Sequence, residues 1–182
     1  MRIISGTARR REIRVPKDVA RPSTDRLREA LFSILNQRVE GARVLDLFAG
    51  SGALGLECLS RGASSCAFVD ASRESARVIK QNLTNTKLAG GHVSHADVFK
   101  HLSSARGEYD LIFADPPYLK HEGGQDFIAE LLACEPLAKL LAPDGILVLE
   151  DPPRNQRGDQ EPWELIDQRK YGSCGILFYQ TA

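Results

Sequence analysis

Long hydrophobic runs are absent from this sequence. No apolar stretch approaches the ~18–20 residues that span a bilayer. The opening residues, MRIISGTARRRE, hold no apolar core of the kind a secretory leader needs. A cytoplasmic protein without membrane contact is therefore expected. Cysteine is sparse: Cys58, Cys66, Cys134 and Cys174 stand apart with no C-x-x-C pair. That spacing argues against a zinc site and, in a reducing compartment, against disulfides. His92, His95, His101 and His121 share no metal-ligand spacing on one element, so no metal is expected and surface histidines are the plain reading. Net charge is also missing, with 24 basic and 24 acidic residues, so the whole-chain balance names no partner. There is no internal repeat, no low-complexity segment and no G-x-x-x-x-G-K-[ST] string, which disfavours a P-loop.

What is present fits one globular domain with a short appendage: 182 residues, 42% of them apolar. Charge is unevenly placed. Residues 1–28 carry nine basic and three acidic side chains, leaving an acidic remainder. A basic arm on an acidic body suits a polyanion such as nucleic acid, with a solvated tail as the plainer reading. The arm itself suggests a small hairpin from RII (2–4) and EIRV (12–15) around Ser5-Gly6-Thr7. After Pro16 and Pro22, Ser23-Thr24-Asp25 offers helix caps, and Leu27, Ala30, Leu31, Ile34 and Leu35 predict one apolar stripe. Then strands and helices alternate. ARVLDLF (42–48), CAFVD (66–70), a weak HVSHA (92–96), YDLIFAD (109–115) and ILVLE (146–150) read as strands. Helices are expected after the glycines at 50–52, from Ser72 to about Leu88, near 98–104 and near 125–134. Pro136 and a short apolar segment follow the last of these. WELIDQRKY (163–171) and ILFYQT (176–181) predict a terminal antiparallel pair. The polar, proline-bearing stretch 151–162 predicts a mobile surface loop. Trp163, Phe178 and Cys66 read as packing residues. Continuous apolar strands separated by helices mean a doubly wound α/β sheet covered on both faces.

In such sheets ligands bind at the carboxyl ends of strands. Asp46, Asp70 and Asp115 stand at such ends, and Asp97 follows the weak strand. Each alone reads as a helix cap; together, beside a glycine loop, they suggest a shared site. Gly50-Ser51-Gly52-Ala53-Leu54-Gly55 matches G-x-G-x-x-G, with Asp70 placed 20 residues after Gly50. Dinucleotide and adenosylmethionine sites both use that pattern. Asp46 separates them: a carboxylate beside the loop repels a pyrophosphate but suits the ammonium of a methionine moiety. Asp70 can accept from ribose hydroxyls. Asp97 can accept from an adenine amine, with Ala71 and Val98 as apolar walls.

The strand at 109–115 ends in Asp115-Pro116-Pro117-Tyr118. Two prolines stiffen the backbone and remove two N–H donors. The Asp115 carboxylate and the Pro116 carbonyl are then adjacent acceptors, which fits a nitrogen carrying two donors, an exocyclic amine. Tyr118 offers a face for stacking a base. The amine of guanine or adenine is a poor nucleophile because its lone pair is delocalised. Accepting from both N–H groups favours a pyramidal nitrogen aimed at a sulfonium methyl, so catalysis is chiefly positioning. As a bare tetrapeptide the motif is equally a turn closing a strand.

The segments RIISGTARRREIRVP, RPSTDRLREALFSIL, VLDLFAGSGALGLECLSRGA, FVDAS and FADPPY resemble the class I S-adenosylmethionine-dependent methyltransferases with an amine-methylating D/N-P-P-Y motif. More closely, they resemble the RsmD-type enzymes, which methylate a guanine exocyclic amine in small-subunit ribosomal RNA. The resemblance implies a Rossmann-like, seven-stranded, mostly parallel sheet with the last strand antiparallel, and a short basic N-terminal hairpin and helix extension. It divides the chain into an RNA-facing extension at 1–40 and a methyltransferase domain at 41–182. It implies S-adenosylmethionine contacts at Asp46, Phe48, Ala49, Gly50, Ser51, Gly52, Asp70, Ala71, Asp97 and Val98. It implies catalysis at Asp115, Pro116, Pro117 and Tyr118, and substrate contacts at Arg10, Arg21, Thr24, Arg26 and Tyr118. The implied partner is 16S ribosomal RNA or the assembling small subunit, and the chain is expected to act as a monomer. Two departures stand out: Asp70 replaces the Glu common on the second strand, and 151–162 has no assigned role. Competing readings are an amine methyltransferase acting on adenine or a protein glutamine, a dinucleotide oxidoreductase, and a non-catalytic RNA-binding module.

Overall fold

Alternation of apolar side chains along the central strands decides the layers. The computed structural model describes residues 1–17, 24–117, 125–152, 155 and 157–182. Its strands are β1 (Arg43–Leu47), β2 (Ser65–Asp70), β3 (Gly91–His95), β4 (Tyr109–Ala114), β5 (Leu141–Asp151), β6 (Trp163–Tyr171) and β7 (Cys174–Thr181). Along β1, Val44 faces one apolar cluster while Leu45 and Leu47 face another. Leu111 and Phe113 of β4 oppose Ile112 and Ala114 in the same way. Both faces need cover, and helices supply it: α1 (Asp25–Leu35), α2 (Ala53–Ser60) and α3 (Arg73–Thr86) on one side, α4 (Val98–Ser104), α5 (Phe127–Leu132) and α6 (Glu135–Leu140) on the other. Each side chain fully buried in this way contributes about 1.5–3 kcal/mol.

The strands lie in the order β3-β2-β1-β4-β5-β7-β6. β1 to β5 pair in parallel, while β7 runs antiparallel between β5 and β6. The winding direction reverses between β1 and β4, whose registers match Leu47 with Ala114. That reversal sends the loops after the two strands to opposite faces and opens a crevice at their carboxyl ends.

Three local readings change. The apolar stripe of α1 is shifted: Ile34 is 38% exposed, while Arg28 and Phe32 are buried with Leu27, Leu31 and Leu35. Pro136 does not leave an irregular segment. It sits in the first turn of α6, where its missing N–H costs nothing. β5 begins at Leu141, five residues earlier than the apolar run at 146 suggests.

The basic arm is welded to the fold. Ile3, Ala8 and Ile13 are buried in the same cluster as Leu56 and Leu59 of α2. Its hairpin is irregular, with a single bridge between Arg2 and Glu12. Gly6 (φ +82°) lies so close to α2 that a Cβ would sit 1.7 Å from the Ser60 carbonyl oxygen. Buried Glu57 of α2 accepts from the backbone N–H groups of Ile4 (2.8 Å) and Ser5 (3.0 Å). Arg11 donates to the Thr86 carbonyl (2.8 Å), closing the C-terminus of α3.

Candidate active site

The loop after β1 turns through left-handed backbone at Phe48 (φ 56°), Gly50 (φ 55°) and Gly52 (φ 76°). Its geometry is held from three sides. Asp70, ending β2, accepts from the Gly50 N–H through Oδ2 (2.8 Å) and from the Ser72 N–H through Oδ1 (2.7 Å). Asp46 accepts from the Gly55 N–H (3.0 Å). Asn82 of α3, fully buried, donates to the carbonyls of Ser51 (3.0 Å) and Arg14 (2.9 Å), tying the loop to the arm. Gly55 has a packing role of its own: a Cβ there would meet the Phe68 ring at 2.3 Å and the Cys66 sulfur at 2.5 Å.

Electrostatics set the character of the crevice. Burial pushes the Asp46 carboxyl up to about 8, opposed by the Gly55 hydrogen bond and reinforced by Asp70. Asp115, one residue past the end of β4, is raised well above the usual carboxylate range by burial and by the negative charges of Glu150 and Asp46. Four acids on neighbouring strand ends leave no place for a pyrophosphate. They favour a ligand that brings positive charge. Beside them, Phe48, Phe127 and Phe99 form an aromatic group, with centroids 5.5 Å apart for Phe48–Phe127 and 6.4 Å for Phe99–Phe127.

The sequence-derived residues divide. Asp46, Phe48, Ala49, Gly50, Ser51, Gly52 and Asp70 lie on the β1–α2 loop or on the two strand ends that hold it. Ala71 is exposed next to them. Asp97 caps α4 by accepting from the Lys100 N–H (2.9 Å). Val98, the next residue, is 2% exposed, packed by the first turn of α4 against the sheet. Asp115, buried Pro116 and exposed Pro117 stand where β4 leaves the sheet. Thr24 uses its hydroxyl to cap α1, accepting from the Leu27 N–H (3.2 Å). Arg10 and Arg26 are exposed. Arg21 and Tyr118 lie outside the described residues. Reasoning from sequence passed over Glu150, although it ends the ILVLE run as the other acids end theirs. Phe99, Phe127, Asn82 and Arg28 carried no local signal.

S-adenosylmethionine fits this donor set on its charge and shape. Its ammonium and sulfonium answer the acid cluster, and its ring answers the phenylalanines. Each Asp70 oxygen that receives a backbone N–H keeps a further lone pair for a ribose hydroxyl.

Strand order, glycine loop and acids at the ends of β1, β2 and β4 together make this the Rossmann-like fold of methyltransferases. The chain belongs to the family described as Conserved hypothetical protein 95, which matches residues 1–180. It is similar to YlbH of Bacillus subtilis (strain 168), 34% identical over 191 residues that cover 99% of this chain and 98% of that one. It is 31% identical over 187 residues to Ribosomal RNA small subunit methyltransferase D of Haemophilus influenzae, covering 100% of this chain and 94% of the relative. Among solved structures it resembles yhhF of Escherichia coli, with TM-score 0.86, 30% identity and coverage of 100% and 97%.

Proposed function

We propose that this chain transfers a methyl group from S-adenosylmethionine to the exocyclic 2-amine of a guanine in 16S ribosomal RNA. The carrying observation is the acceptor pair Asp115–Pro116, set at the winding reversal beside an acid-lined glycine loop. The name of the Haemophilus influenzae relative, a small-subunit ribosomal RNA methyltransferase, supports the substrate. Asp46, Asp70 and the loop at 48–52 hold the cofactor, which when bound supplies an electrophilic sulfonium methyl. Asp115 and the Pro116 carbonyl accept from the two amine N–H groups and aim the nitrogen lone pair. A cation among these acids offsets the charges of Asp46 and Glu150 and returns Asp115 toward its carboxylate form, the form that accepts. The new N–C bond forms as the S–C bond breaks, and the amine proton passes to Asp115 or to water. Tyr118 supplies a stacking face. A base inside a helix is flipped out, or the target lies in a loop. Arg9, Arg10 and Arg26, exposed and unpaired with any described residue, contact phosphates together with Arg21. The extension at 1–40 is the RNA-facing part, and the monomer is the acting unit.

Labelled methyl from S-adenosylmethionine should appear in small-subunit ribosomal RNA or its particles. A chain that binds the cofactor and labels neither overturns the proposal.

A further inference from the structure

Glu150 lies beside Asp115. β4 and β5 pair Ala114 with Leu149, so the next residues, Asp115 and Glu150, stand at adjoining strand ends. Both line one narrow cleft, partly open to solvent, together with Arg28, Leu31, Leu54 and Ile176. Arg28 is wholly buried in the wall of that cleft. Its Nη2 donates to the Arg2 carbonyl (2.8 Å) and to Asp25 (2.8 Å). Its Nε and Nη1 have no hydrogen-bond partner among the described residues, and Glu57 is 3.8 Å from Nη1. The cleft therefore presents two neighbouring acceptors, with a buried cation in its wall behind them.

That polarity matches one base. Guanine presents two adjacent donor groups, the 2-amine and N1–H, and then the acceptor O6. Adenine puts the N1 lone pair next to its amine, which against a second carboxylate brings two acceptors face to face. We propose that Glu150 selects guanine by accepting its N1–H, while Asp115 takes the 2-amine and Arg28 faces the O6 side. This deepens the guanine-amine reading above and rests on it. A site built to pair N1–H rejects a base without it, because a half-buried carboxylate would be left facing a lone pair.

The test uses small-subunit ribosomal RNA ligated from pieces, assembled into particles where the native RNA requires it. The methylated position carries either guanosine or 2-aminopurine riboside. 2-Aminopurine keeps the acceptor amine but has a bare N1. The full-length wild-type chain should prefer guanosine at least a hundredfold in kcat/KM. In Glu150→Gln the amide can also donate to a bare N1, so the preference should fall at least tenfold, partly through a gain on 2-aminopurine. A structural role for Glu150 would lower both rates together, and an unchanged ratio overturns the inference while leaving the guanine reading in place. No transfer by the wild-type chain to guanosine overturns that reading, and this inference with it. Should Glu150→Gln not fold, the wild-type ratio still decides: equal rates on the two bases exclude a role for N1–H.

Discussion

At the residue scale, the decisive feature is that Asp46, buried, and Asp115, partly buried, sit where charge is costly. The folded chain holds a proton on Asp46 up to about 8, whereas the unfolded chain releases it near 3.8. The folded state therefore binds more protons between those values. Stability is greatest at the acid end of that window and falls as pH rises through it, with Asp115 adding in the same sense. Urea midpoints from pH 5 to 8 should decline, and Asp46→Asn should flatten the decline. The same proton must leave when an ammonium settles beside Asp46. Calorimetric titration of S-adenosylhomocysteine at pH 7 should thus show an enthalpy that depends on the buffer's ionisation heat. A buffer-independent enthalpy contradicts the pairing of Asp46 with the ammonium. Asp115→Ala should abolish methyl transfer and leave cofactor affinity within a few-fold, because Asp115 acts on the amine; appreciable activity in that variant contradicts its role.

At the scale of elements, the arm and helix α2 form one unit. Glu57 joins them, accepting from two arm N–H groups and from Arg61 (2.8 Å), with buried Arg28 nearby. Glu57→Ala leaves those arm donors unpaired and takes one of the two carboxylates away from buried Arg28. Denaturant unfolding should show a loss of about 3–5 kcal/mol. Glu57→Gln, which keeps an acceptor, should lose less. The hairpin was legible in the short apolar runs at 2–4 and 12–15, but its docking on α2 was not, because Ile3, Ala8 and Ile13 are too widely spaced to form a periodic signal. The central strands were legible because each is apolar on both faces. α6 was not, since a proline in a six-residue helix looks like a break until its first-turn position is known.

At the scale of the whole molecule, the basic side chains separate into two sets. Arg11 and Arg28 are engaged within the fold, by the α3 C-terminus and by Asp25. Arg9 and Arg10 are exposed and bond to no described residue. Replacing Arg9 and Arg10 together by Ala should weaken RNA binding and lessen the slope of log K against log salt by about one to two. Folding stability should stay nearly unchanged. An unaltered slope shows that these two arginines do not touch phosphate. Arg11→Ala should instead cost stability, through the lost cap on α3. Arg157 belongs to the internal set as well, bridging Asp151 (2.8 Å) and Asp126 (2.9 Å) and so tying the chain after β5 to the start of α5.

The sequence alone determined the doubly wound sheet, the glycine loop and the acids at the strand ends. These are local patterns: apolar runs, turn residues, and a carboxylate where each run stops. Tertiary structure alone decided which strand ends become neighbours. Placing β4 between β1 and β5 sets Asp115 between Asp46 and Glu150, residues distant in the chain. Burial then raises the proton affinity of Asp46 and Asp115, and packing α1 against the same strands brings Arg28 into the wall of the cleft. Charge interactions act through space and strengthen as water is excluded, so the chemistry of the site is a property of the assembled sheet.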